Sequence, residues 1–221
     1  MYGNITFDVA HLLAGGLVLV SFMLLYQDRL SALINVYALH ALVLTLSVAW
    51  HAVIQDAPHL FVTAGIALGF KAIVIPLTLH RIVRRLGIHR DIETVGGIGP
   101  TMLAGMALVA LSLVVILRIT PEADPLAREE LAFALSVLLL GLLVMVTRRN
   151  AVSQVIGFMS LENGLIFAAT GARGMPLVVE ISVAFSIVIA FIVIGIFLFR
   201  IRERFDTVDV GALDDFRGER R

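Results

Sequence analysis

The chain has 221 residues, of which 59% are hydrophobic and only 15% charged, with 17 basic and 17 acidic side chains, zero net charge and a mean hydropathy of +0.98. Soluble globular chains lie nearer ~45–50% apolar and ~25% charged, so this composition excludes a soluble fold, and the neutral balance excludes a nucleic-acid-binding or disordered one. The absence of cysteine removes disulfide scaffolds, thiolate metal sites and thiol nucleophiles.

About 20 apolar residues at 1.5 Å rise cross a hydrocarbon core of ~30 Å, and seven such runs follow one another, at 5–25, 33–54, 59–80, 98–118, 130–147, 151–171 and 176–200. None alternates with the two-residue period of a membrane β-barrel. Backbone groups in lipid must bond within their own segment, so an all-α integral membrane protein of about seven transmembrane helices is expected. The first run lacks a basic flank and a small-residue cleavage site, so it reads as a helix and not a removable signal peptide. It carries Asp8 near one end. The second run holds His40 and His51, and the third holds Lys71 five residues before Pro76, which should kink it.

The 81–97 connection contains Gly96-Gly97-Ile98-Gly99-Pro100. It follows no strand and ends in no Lys-Ser/Thr pair, so it reads as a lead-in to the fourth helix and not a phosphate loop. Runs four and five carry charge only at one end each, Arg118 and Glu130. Arg148-Arg149-Asn150 turns the chain into run six, which carries Glu162, and run seven opens at Pro176 with Glu180 one turn in. The tail from Glu203 is too charged to span.

Thirteen of the 17 basic residues fall at one end of these runs: Arg29, Arg81, Arg84, Arg85, Arg90, Arg148, Arg149 and six from Arg200 onward. The opposite end has Arg118, Arg128 and Arg173 beside Asp56, Glu122, Asp124, Glu129 and Glu130. Basic loops stay in the cytoplasm, so the N-terminus is expected outside and the C-terminus inside.

An ionisable group at mid-bilayer costs about 2.5–3.5 kcal/mol on insertion scales and needs a partner, a hydrated cavity or a task. Glu162 and Lys71 both sit near mid-span, His40 lies in the inner half of its helix, and Glu180 is nearer the outer surface. Either the charges form an ion pair that pins helix packing, or they are groups between which protons hop. For His40, His51 and His80 a hydrogen-bonded role, or for His80 an interfacial one, is the simpler reading. A retinal-type Schiff base is disfavoured, because the lysine is not in the last run and the chain has one Trp and three Tyr.

From about residue 130 the chain resembles the K-type subunit of bacterial respiratory complex I and the C-type subunit of multisubunit Na+/H+ antiporters. The residues that carry this are Gly141-Leu142, Arg148-Arg149-Asn150, Val155-Ile156-Gly157, Glu162-Asn163 and the tail Asp215-Phe216-Arg217-Gly218. With the helices ahead of this unit, and with Lys71-Ala72-Ile73-Val74-Ile75-Pro76, the whole chain is similar to component E of hydrogenase-4-type, complex I-related membrane complexes. It departs from the K-type pattern in two places. The first glutamate position is Met159, with the acid three residues on at Glu162, and residues 186–190 hold no acid where the second would fall.

The resemblance implies an N-terminal membrane region (1–125), a K-like three-helix unit (126–202) and a cytoplasmic tail (203–221). It implies a multi-pass subunit of a bacterial or archaeal inner membrane with no catalytic site or cofactor of its own. Its partners would be antiporter-like and quinone-site-type membrane subunits and soluble redox subunits carrying nickel–iron and iron–sulfur centres, within the lipid bilayer and with no nucleic acid. Glu162 is then the central proton-relay carboxylate, Lys71 its partner, and Glu180 and His40 lesser relay candidates. The rival readings are a subunit of a cation/proton antiporter without redox partners, and a purely structural anchor.

Overall fold

The computed structural model describes residues 2–86, 96–122, 125–171 and 195, and every regular element among them is helical. In chain order these are α1 (Tyr2–Tyr26), α2 (Leu30–Ile54), α3 (His59–Ile66), a π-helix (Ala67–Val74), α4 (Ile75–Leu86), α5 (Ile98–Ile119), α6 (Pro125–Thr147) and α7 (Ala151–Gly171). The π-helix joins α3 to α4 without a break, so six helices among the described residues are long and apolar enough to cross a membrane. The chain is an all-α, multi-pass membrane protein. The expected seventh run, 176–200, lies outside the described residues except for residue 195.

Local chemistry sets the helix ends. Gly96 and Gly97 both adopt φ +85°, and α5 begins at the next residue, so the glycine-rich stretch is the backbone turn that starts this helix. The fifth expected run begins at Pro125 and not at residue 130, because proline suits the first helical position, where no N–H is needed. Asn150 caps α7 by accepting the Val152 N–H at 2.9 Å.

Side-chain bonds tie neighbouring helix ends together. At one end Arg148 reaches the carbonyls of Leu24 and Leu25, and His80 donates to Asn35 Oδ1 at 2.9 Å. At the other, Trp50 Nε1 donates to the Thr6 carbonyl at 3.2 Å and Gln55 Nε2 to the Thr170 carbonyl at 2.8 Å. Arg128 Nη2 likewise joins α6 to the Leu117 carbonyl of α5 at 3.1 Å. Arg29, Arg81, Arg84 and Arg148 gather at the first of these ends.

The tightest packing is between α6 and α7. A Cβ on Gly157 would stand 2.6 Å from the Met145 backbone nitrogen, one on Gly164 would stand 2.8 Å from that of Leu138, and one on Gly141 would strike the Leu161 backbone. Gly157 and Gly164 are two turns apart on one face, and such small residues let membrane helices approach closely. α2 runs through the core, with Leu33, Ile34, Tyr37, Leu44 and Val48 fully buried, whereas α5 is the most exposed span.

Candidate functional site

Lys71 lies near the middle of the π-helix, and Pro76 explains the unusual winding. Proline has no N–H, and its ring excludes the regular bond to the carbonyl four residues back. The turn before it widens, and the Ile75 N–H bonds Phe70 O, five residues back. In place of the kink expected at Pro76, the structure has a π-helical segment, a form frequent at functional positions, with Lys71 inside it.

Lys71 is the thirteenth residue of the span His59–Arg84, and Glu162 the twelfth of Ala151–Gly171, so both lie half way along. They meet: Lys71 Nζ is 3.1 Å from Glu162 Oε2, with the two residues 3% and 7% exposed. Lys71 Nζ also donates to Asn163 Oδ1 at 2.7 Å, and Asn163 Nδ2 lies 3.0 Å from His40 Nδ1. His40 Nε2 in turn lies 2.9 Å from Ser21 Oγ, which donates to the Leu17 carbonyl at 2.9 Å. This network joins the π-helix, α7, α2 and α1.

With Lys71 as an ammonium, the bonding capacities fix the direction of each hydrogen bond from Lys71 through Asn163 and His40 to Ser21. An ammonium only donates, so it fixes the Asn163 oxygen toward Lys71 and the amide N–H toward His40. His40 Nδ1 is then an acceptor and carries no hydrogen. Its Nε2–H faces Ser21 Oγ, whose own hydrogen is committed to Leu17. The donors all point one way, from Lys71 to α1, and His40 is the neutral Nε2–H tautomer.

The site brings an amine and a carboxylate into contact and links that pair through Asn163 to His40. Asn163 stands between them, and an amide relays a hydrogen bond without itself giving up or taking a proton. Tyr37, one turn before His40, and Ser160, on α7, have buried hydroxyls with no hydrogen-bond partner among the described residues. Among the described residues no three His, Asp or Glu side chains converge to hold a metal ion.

Of the residues singled out from sequence, Lys71, Glu162 and His40 come together, while Glu180 lies outside the described residues. His51 pairs with Glu130 at another level of the bundle. Asn163 and Ser21 were not singled out as site residues. The Glu162-Asn163 dipeptide beside a mid-span lysine was the available signal for Asn163. Ser21 gave none. Arg148 marked the basic end in sequence, but here it is buried and grips the last turn of α1, with Nη2 3.1 Å from Leu24 O and 2.7 Å from Leu25 O. Those carbonyls have no partner in their own helix. Burial pushes the Arg148 guanidinium down to about 10 while Asp28 pulls it up, so it remains charged at neutral pH.

No family model and no solved structure matches the chain. Among curated proteins it is 32% identical over 212 residues to an uncharacterised protein of Mycobacterium tuberculosis, covering 92% of this chain and 94% of that one. It is 30% identical over 211 residues to hydrogenase-4 component E of Escherichia coli K12, covering 93% of this chain and 96% of the relative. The Shigella flexneri hydrogenase-4 component E matches at the same identity and coverage. Because that likeness runs nearly end to end in both proteins, the chain belongs to the hydrogenase-4 component E family.

Proposed function

We propose that this chain is a non-catalytic membrane subunit of a hydrogenase-4-type, complex I-like respiratory assembly, and that its buried ionisable residues carry protons moved by redox chemistry in partner subunits. The observation that carries the reading is the Lys71–Glu162 pair, two opposite charges meeting half way along two spans. Charges at that depth persist where they pair, and they mark ion and proton pathways in membrane proteins.

In this reading Glu162 is the relay carboxylate and Lys71 the cation that loads and discharges it. Asn163 holds Lys71 and His40 in register. A proton arriving at His40 Nδ1 would displace the Asn163 bond, so His40 registers the charge state of the pair through the network. Nickel–iron and iron–sulfur centres belong to the partners, soluble redox subunits docked on antiporter-like and quinone-site-type membrane subunits in a bacterial or archaeal inner membrane.

Purification of the full chain in mild detergent, with identification of whatever accompanies it, tests the assembly. Hydrogenase-type and iron–sulfur subunits are expected. Antiporter subunits alone would replace this reading with a cation/proton antiporter. Lys71→Met combined with Glu162→Leu separates transport from anchoring, and full proton coupling in that variant would leave the pair a packing device.

A further inference from the structure

A second buried acid–base pair lies outside the Lys71 network. His51 of α2 places Nε2 2.8 Å from Glu130 Oε1 of α6, and Nδ1 2.8 Å from the Ser47 carbonyl oxygen. Both side chains are buried. A carbonyl oxygen only accepts, so Nδ1 carries a hydrogen. The short Nε2–Oε1 contact must then hold another, either on nitrogen as imidazolium beside carboxylate or on oxygen as carboxylic acid beside neutral imidazole. Passing between these forms breaks one O–H bond and makes one N–H bond, with no electrons gained or lost. Whichever partner has it, the pair holds one movable proton.

Its surroundings suit that role. From α7 the Phe167 ring stands edge-on to His51 with centroids 6.2 Å apart, and a Cβ on Gly171 would be 3.3 Å from Glu130 Oε2. One residue back along α6, Glu129 meets His11 of α1 at 3.0 Å, with side chains 41% and 46% exposed. A half-exposed acid–base pair therefore neighbours the buried one, at the arginine-poor end of the bundle. Toward the interior, His40, Ser47 and His51 follow at intervals of seven and four residues, which puts them on one face of α2. The Ser47 hydroxyl is buried with no hydrogen-bond partner among the described residues. His40 and His51 are separated by about 16 Å of helical rise.

We infer that His51–Glu130 is a second proton-holding site, the terminal station of the path at the arginine-poor end, exchanging with the surface through His11–Glu129. It rests on the reading of Lys71–Glu162 as the proton-carrying centre and names where that path meets the aqueous phase.

The test uses the intact complex in sealed vesicles and measures protons moved per redox turnover for Glu130→Gln, His51→Gln and Glu162→Gln. Glu130→Gln keeps the volume and donates an amide N–H to His51 Nε2, so the contact survives while the movable proton is lost. A merely structural pair would not respond. The ratio is expected to fall about tenfold or more in Glu130→Gln, and the pH-jump infrared difference spectrum should lose one carboxyl band. A wild-type ratio in Glu130→Gln overturns this inference whatever Glu162→Gln does. A depressed ratio in Glu130→Gln with a normal one in Glu162→Gln keeps the second site and removes the Lys71–Glu162 reading. If Glu130→Gln does not assemble, His51→Gln carries the same two outcomes.

Discussion

Removing the Lys71 charge should cost far more alone than together with its partner. Lys71 Nζ has two acceptors, Glu162 Oε2 at 3.1 Å and Asn163 Oδ1 at 2.7 Å, so Lys71→Met strands a buried carboxylate and an amide oxygen. Removing one member of a buried ion pair costs about 3–5 kcal/mol, and Glu162→Leu, which strands the ammonium, should cost a similar amount. The double variant leaves only Asn163 Oδ1 without a donor, at about 1–3 kcal/mol. The two single effects therefore overshoot the double by several kcal/mol, whereas independent sites add to within about 0.5 kcal/mol. Denaturation midpoints of the assembled complex in mild detergent, for wild type and the three variants, measure the difference. A double variant that loses the sum of the two singles would refute the contact and the argument built on it.

The α6–α7 seam gives a second test. Gly157→Ala should lower stability by about 1–3 kcal/mol, because its Cβ meets the Met145 nitrogen at 2.6 Å, while Gly15→Ala, with nothing within 4 Å, should not; thermal unfolding compares the two. Asn150→Ala removes the α7 cap and should cost about 1 kcal/mol in the same assay. Arg148→Ala gives up two charged hydrogen bonds to the last turn of α1, each worth about 1.5–3 kcal/mol. A folded-state value for Arg148 of about 10, below its ordinary one, penalises the charged form at all lower pH and is relieved only as pH rises past it. The stability difference between wild type and Arg148→Ala should therefore be flat from about pH 5 to 9 in pH-dependent melts.

The spans were readable because uninterrupted apolar length is itself the signal. Lys71 and Glu162 stood out as charges at forbidding depth, but their contact joins residues 91 positions apart, and only the packing of the π-helix and of α7 against α2 brings them within reach. Pro76 leads to the expectation of a kink, because the sequence shows the lost N–H but not that the turn before it widens into a π-helix. Glu130 was hidden by a helix boundary. With the fifth run starting at 130 it read as a flanking charge, whereas a start at Pro125 carries it more than a turn into the bundle and buries it beside His51. Arg148 looked like a marker of orientation because sequence does not reveal which helix end lacks donors for its carbonyls.

The number of protons moved per redox turnover in the assembled complex carrying Glu162→Gln puts the reading to its most direct trial. Glutamine keeps the size of the side chain and an oxygen for the Lys71 ammonium but has no acidic proton to pass on. A complex that assembles, turns over and moves few or no protons is the predicted result; one that assembles and moves the full wild-type number contradicts it.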